Sequence, residues 1–187
     1  DAEQLRGALS QKTKLLILNT PHNPTGKCFT MDEMLLITEI LKDYPNCVVL
    51  ADEVYDFLTF DGLPHIPFAT IGDNWNKTIT VYSGGKLLNA TGWKVGWGIG
   101  PERLVRLMGI INNTTCYCTN NPAQIAFAQA LDHVDAPNHE GTLSFVELAQ
   151  KQFQEVRDFL FKEIKEMDLP WEPLPCHSGY FMMVDVS

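Results

Sequence analysis

The sequence predicts an α/β fold built on a mostly parallel sheet with helices on both faces. Two apolar runs of strand length, at 14–20 and 47–53, flank a segment with helical spacing, and that order is a βαβ unit. Two further runs, at 77–85 and 95–100, continue the pattern, and each of the first three runs ends in polar or glycine-rich chain.

Each element has a local reason. "KLLILNT" ends in "PHNPTG", a turn made of residues that cannot continue a strand. Thr30 followed by Glu33 has the form of a capping box, and Met34, Ile37 and Leu41 recur at helical spacing, so 31–43 reads as a helix. "PN" at 45–46 stops it, and "CVVLADE" follows as a buried-type strand ending in two acids. The stretch 56–76 is loop-rich. "KTITVYSGG" and "VGWGIG" give a third and a fourth strand. Pro101 opens a helix over "PERLVRLMGII", and Asn121-Pro122 opens another that runs to about His133. From Gly141 to Met167 apolar residues recur every three to five positions, which predicts roughly 40 Å of amphipathic helix. "GYFMMVDV" at 179–186 reads as a strand.

Composition narrows the function. The 187 residues carry a net charge of −9, which argues against nucleic acid or an anionic membrane as the main partner. No apolar run approaches the ~20 residues of a membrane helix. The five cysteines are irregularly spaced without a CxxC, so neither a disulfide framework nor a metal site is expected. They fit a cytoplasmic compartment, with a mitochondrial one left open. The opening "DAEQLRGALS" has no signal-peptide character and no initiating Met, and an interior piece of a longer protein is expected.

Ligands of open α/β sheets sit beyond the carboxyl ends of the strands. Three polar sets fall there: Asn23, then Asp52 with Tyr55, then Ser83 with Lys86. Together they suit pyridoxal 5′-phosphate. Lys86 can form a Schiff base with the aldehyde. Asp52 can keep the pyridine nitrogen protonated, so that the ring acts as an electron sink. Asn23 and Tyr55 can donate to the phenolate oxygen, and Ser83 and Lys94 can hold the phosphate.

"NTPHNPTGK", "ADEVY" and "SGGKLLNATGWKVGW", in that order and spacing, resemble the class I pyridoxal-phosphate aminotransferases. "DEVYDFLTFDGLPHIPFAT" and "SGYFMMVDVS" are similar to the kynurenine aminotransferase group, also called glutamine transaminase K or cysteine-S-conjugate β-lyase. The resemblance spans 14–187. It implies part of a type I large domain over 1–140, a long interdomain helix over 141–168 and the beginning of a small C-terminal domain over 169–187. It also implies Lys86 as Schiff-base lysine and proton shuttle, Asn23, Asp52, Tyr55, Ser83 and Lys94 as cofactor ligands, amino-acid and 2-oxo-acid substrates, and a homodimer. Most members carry Arg where Lys94 stands, and Lys there resembles the kynurenine group. The family's ring-stacking aromatic residue and its substrate-gripping arginine match nothing within these residues, so the isolated chain is expected to be inactive. A β-eliminating lyase on the same scaffold and a non-catalytic fragment remain alternatives.

Overall fold

A computed structural model describes residues 1–137 and 141–187. Its centre is a sheet of four strands among the described residues, in the order β1 (Leu15–Asn19), β2 (Val48–Asp52), β3 (Thr78–Ser83) and β4 (Gly96–Ile99). The first three are parallel, with Asn19 opposite Asp52 and Asp52 opposite Val81. β4 runs antiparallel to β3, pairing Ser83 with Gly96. The carboxyl ends of β1, β2 and β3 and the amino end of β4 therefore share one edge of the sheet.

Alternation along the strands separates the two faces. Leu18, Val49 and Ala51 point to one face and form a core with Met34, Ile37 and Leu41 of α2 (Met31–Leu41). Phe68 and Ile71, in and just after a short 3₁₀ turn, close that core. Thr30 caps α2 with a complete capping box to Glu33. Asn74 is buried beneath the same layer and donates to Thr38 Oγ1 at 2.8 Å and to the Phe68 carbonyl at 3.3 Å. On the other face, Met108 of α4 (Glu102–Thr115) reaches within 3.1 Å of where a side chain at Gly98 would begin, and Ile79 lies 3.7 Å from that point. Both faces thus carry helices, although Leu15 and Ile17 remain exposed on the second.

α5 (Asn121–Leu131) is capped by the Asn120 side chain and sets Phe127 and Ala123 against Val95. α6 (Phe145–Glu166) is shorter than the periodic stretch foretold. Ser144 and Glu147 form a capping box that fixes its start, and 22 residues make roughly 33 Å. A helix at Ala2–Ala8, α1, was not foreseen; none of its residues is buried, so it leaves no apolar stripe in the sequence.

The apolar run 179–186 is not one strand. Only Val184–Asp185 (β6) is extended in a ladder, against Glu172–Pro173 (β5). Gly179 adopts φ +79°, a turn conformation, and the chain from Cys176 to Tyr180 spends its hydrogen bonds on loops instead.

Candidate active site

The shared sheet edge gathers the polar residues. Asn19, the last residue of β1, organises the turn that follows. Its Oδ1 accepts from the Asn23 backbone N–H at 2.9 Å, and its Nδ2 donates to the Asp52 carbonyl at 3.0 Å. Sequence reasoning passed over Asn19 as an ordinary strand residue, although an asparagine at a strand end was the available signal. His22 and Thr25 close the turn side by side, Nδ1 to Oγ1 at 2.8 Å. The Thr20–Pro21 and Asn23–Pro24 peptide bonds are cis. Gly26, at φ +68°, ends the turn where a side chain would meet Cys176 Sγ at 2.7 Å.

The turn delivers Asn23 to Tyr55. Asn23 Nδ2 lies 3.4 Å from the Tyr55 hydroxyl, and the Tyr55 ring is buried. Asp52 ends β2 on the same face as Asn19, and its Oδ1 accepts from the Val54 N–H at 3.4 Å.

Ser83 caps the single helical turn α3 (Gly84–Leu87), its Oγ accepting from the Lys86 N–H at 3.3 Å. Gly84 and Gly85 permit that turn. A side chain at Gly84 would fall 2.5 Å from the Phe127 ring, and one at Gly85 would fall 2.8 Å from Thr91 Cα. Lys86 Nζ then stands 5.6 Å from the Tyr55 ring centroid. Asn23, Tyr55 and Lys86 are thereby brought together, with Asp52 and Ser83 at the adjoining strand ends. Lys94 stands apart from this contact chain. It is exposed, in left-handed conformation at φ 56°, two residues before the Gly96 that pairs with Ser83. It occupies the same sheet edge.

Besides Asn19, two further groups went unread in the sequence. One is Glu53, fully buried on the core face, directly behind Asp52 in the chain. Its Oε1 accepts from the Phe68 N–H at 3.0 Å, and its Oε2 lies 2.8 Å from His65 Nε2 and 3.3 Å from the Tyr82 hydroxyl. Glu53 is thus the partner of His65. Burial, with the Glu53 and Asp56 carboxyls nearby, pushes the Tyr82 hydroxyl far above the usual phenol range. Burial also raises the Asp56 carboxyl. The other is Tyr180, whose hydroxyl donates to the Lys86 carbonyl at 2.8 Å and whose ring meets that of Tyr55 edge-on at 5.3 Å. Trp93 is exposed and touches the Phe127 ring edge-on, whereas Trp97 stacks on Tyr82. Of the histidines, His139 lies outside the described residues.

The family model for aminotransferase class I and II matches residues 1–187. The chain is 39% identical over 186 residues to a kynurenine–oxoglutarate transaminase of Dictyostelium discoideum, covering 99% of this chain and 41% of that protein. It is 34% identical over 187 residues to kynurenine–oxoglutarate transaminase 3 of Homo sapiens, covering 100% of this chain and 40% of that protein. Among solved structures it is similar to N-succinyldiaminopimelate aminotransferase from Mycobacterium tuberculosis, with a TM-score of 0.89 and 35% identity, covering 99% of this chain and 45% of the other. The Escherichia coli protein YbdL, described with a methionine aminotransferase function, gives a TM-score of 0.87 at 28% identity, over 99% of this chain and 46% of the other. The chain thus spans about two fifths of the length of these curated relatives.

Proposed function

The chain belongs to the class I and II aminotransferases, and from that premise we propose that its protein moves an amino group from an amino acid to a 2-oxo acid, using pyridoxal phosphate attached at Lys86. The observation that carries the reading is the meeting of Lys86, Tyr55 and Asn23 beyond the sheet edge that also holds Asp52 and Ser83.

The donor set fits the cofactor. When bound, pyridoxal phosphate supplies an electron sink for the pair released at the amino acid's α-carbon. The Asp52 carboxylate suits the protonated ring nitrogen. The Asn23 amide and Tyr55 hydroxyl, already side by side, offer two N–H or O–H donors to the ring oxygen. Ser83 Oγ accepts from the Lys86 N–H, which leaves its own O–H to donate to phosphate. The Lys94 ammonium, exposed on the same edge, offsets the phosphate charge. Lys86 Nζ, on a flexible four-carbon stem, would take the proton from the substrate's α-carbon and deliver it to the carbon that carried the cofactor's aldehyde.

The names of the relatives favour kynurenine as donor and 2-oxoglutarate as acceptor. Exposed Leu107, Ile110 and Ile111 on α4 favour a second copy of the protein as partner.

The test uses the full-length protein with pyridoxal phosphate, kynurenine and 2-oxoglutarate. Wild type should transaminate and show the visible absorbance of the covalently attached cofactor. Lys86→Ala should lose both while retaining some cofactor through the remaining contacts. Turnover or an unchanged spectrum in Lys86→Ala would overturn the assignment.

A further inference from the structure

The segment Cys176–Tyr180 is a strap laid across three loops of the site. The His177 N–H and the Ser178 hydroxyl both donate to the Gly26 carbonyl, at 3.0 and 3.1 Å. The Phe60 N–H donates to the His177 carbonyl at 2.9 Å, and the Gly179 N–H to the Leu58 carbonyl at 3.1 Å. Tyr180 then reaches the third loop, its hydroxyl donating to the Lys86 carbonyl. That carbonyl ends a helix of only four residues, so it lacks the partner that a longer helix would supply.

From this juxtaposition we infer that Tyr180 is a positioning residue for Lys86, tying the lysine backbone to the strap and holding the amine beside a pair of tyrosine rings. Lys86 Nζ lies 5.6 Å from the Tyr55 centroid and 6.0 Å from that of Tyr180, and the two rings meet at 79°. Phe153 of α6 backs the Tyr180 ring at 4.8 Å. Without the hydroxyl, the turn keeps its Ser83 cap but loses its tie to the strap at the Lys86 carbonyl, and the amine loses one restraint on its approach. Burial and the neighbouring Tyr55 push the Tyr180 phenol up to about 12, so the hydroxyl keeps its proton and stays a donor across neutral pH.

The inference rests on Lys86 being the attachment point, so the experiment separates the two. The full-length apoprotein is mixed with pyridoxal phosphate at fixed pH, and the rate of covalent attachment is followed by absorbance. Kinetic constants and melting temperature are measured in parallel on wild type, Tyr180→Phe and Cys176→Ala. Tyr180→Phe keeps the ring and removes only the donor. It should attach the cofactor roughly tenfold more slowly and lower kcat by a similar factor, with KM within about twofold. Cys176→Ala loosens the same strap without touching Lys86; it should lower the melting temperature and leave the attachment rate unchanged. Equal attachment rates in wild type and Tyr180→Phe would overturn the positioning role alone. Equal slowing in Cys176→Ala would also overturn it, because general loosening would then explain the effect. Absence of attachment in wild type would overturn the functional reading and this inference with it.

Discussion

Replacing Glu53 by Gln tests whether the buried acid behind Asp52 holds the site's framework. The carboxylate offers two oxygens to three donors: the Phe68 N–H on one, His65 Nε2 and the Tyr82 hydroxyl on the other. Glutamine keeps one oxygen and turns the other into a donor. The less costly orientation leaves the oxygen with His65 and Tyr82 and aims the amide N–H₂ at the Phe68 N–H. One buried backbone donor then goes unpaired, at a cost of about 1–3 kcal/mol, and two charge-assisted bonds become neutral ones. We expect a loss of about 2 kcal/mol. Glu53→Leu orphans all three donors and should cost about 3–5 kcal/mol, the range for breaking a buried polar pair. With a urea slope of about 2 kcal/mol/M, the glutamine variant should unfold about 1 M earlier, followed by the fluorescence of the four tryptophans. A midpoint within about 0.3 M of wild type, or a leucine variant as stable as the glutamine one, would refute the reasoning.

Gly26→Ala places a methyl 2.7 Å from Cys176 Sγ and 2.9 Å from the Ser178 carbonyl at a positive φ, and should cost about 1–3 kcal/mol, read as a lower melting temperature with faster proteolysis of the strap. Arg157 makes a two-point pair with Asp61, donates to the Cys176 carbonyl at 3.0 Å and lies over the Phe60 ring. Since Asp61 is half exposed, Arg157→Ala should cost only about 1–2 kcal/mol by denaturant titration. The same pair holds the Asp61 carboxyl below its ordinary value, so its contribution is complete above about pH 4 and fades as pH falls through the lowered value; Asp61→Asn should remove that acid dependence. Asp56 has the opposite sign. Burial raises its carboxyl, so ionisation on the way up from about pH 4 weakens the fold, and Asp56→Asn should raise the melting temperature at pH 7 while flattening that slope.

What the sequence disclosed was local. Thr30 with Glu33 announces a helix start within four residues, and that capping box forms, whereas the Ser144 and Glu147 box that starts α6 at Phe145 was not read and the helix was expected from Gly141. Asn23, Asp52, Ser83 and Lys86 could be placed because parallel strands put their carboxyl ends on one edge whatever the loops do. Contacts between distant loops stayed hidden. Glu53 and His65 are 12 residues apart across an irregular loop, and Tyr180 is 94 residues from Lys86. The direction of β4 was equally silent, since its apolar run fits either pairing. The run at 179–186 misled because its apolar residues are not the inward side of a strand: Phe181, Met183 and Val186 are exposed, and the strap before them is pinned at Gly26, Leu58 and Lys86 by contacts to separate loops.

The strap also sets an order of events during synthesis. The Lys86 carbonyl and the Gly26 turn are complete in sequence long before the residues that bind them exist. At ribosomal rates of about 5–20 residues per second, Tyr180 follows Lys86 by roughly 5–20 s. For that interval the nascent sheet can form its three parallel strands, yet the lysine turn and the proline-rich turn lack the strap that binds both. Early emergence of Lys86 and late arrival of Tyr180 make this a sheet edge assembled in reverse, with the tie to the Lys86 carbonyl missing until the strap has been translated.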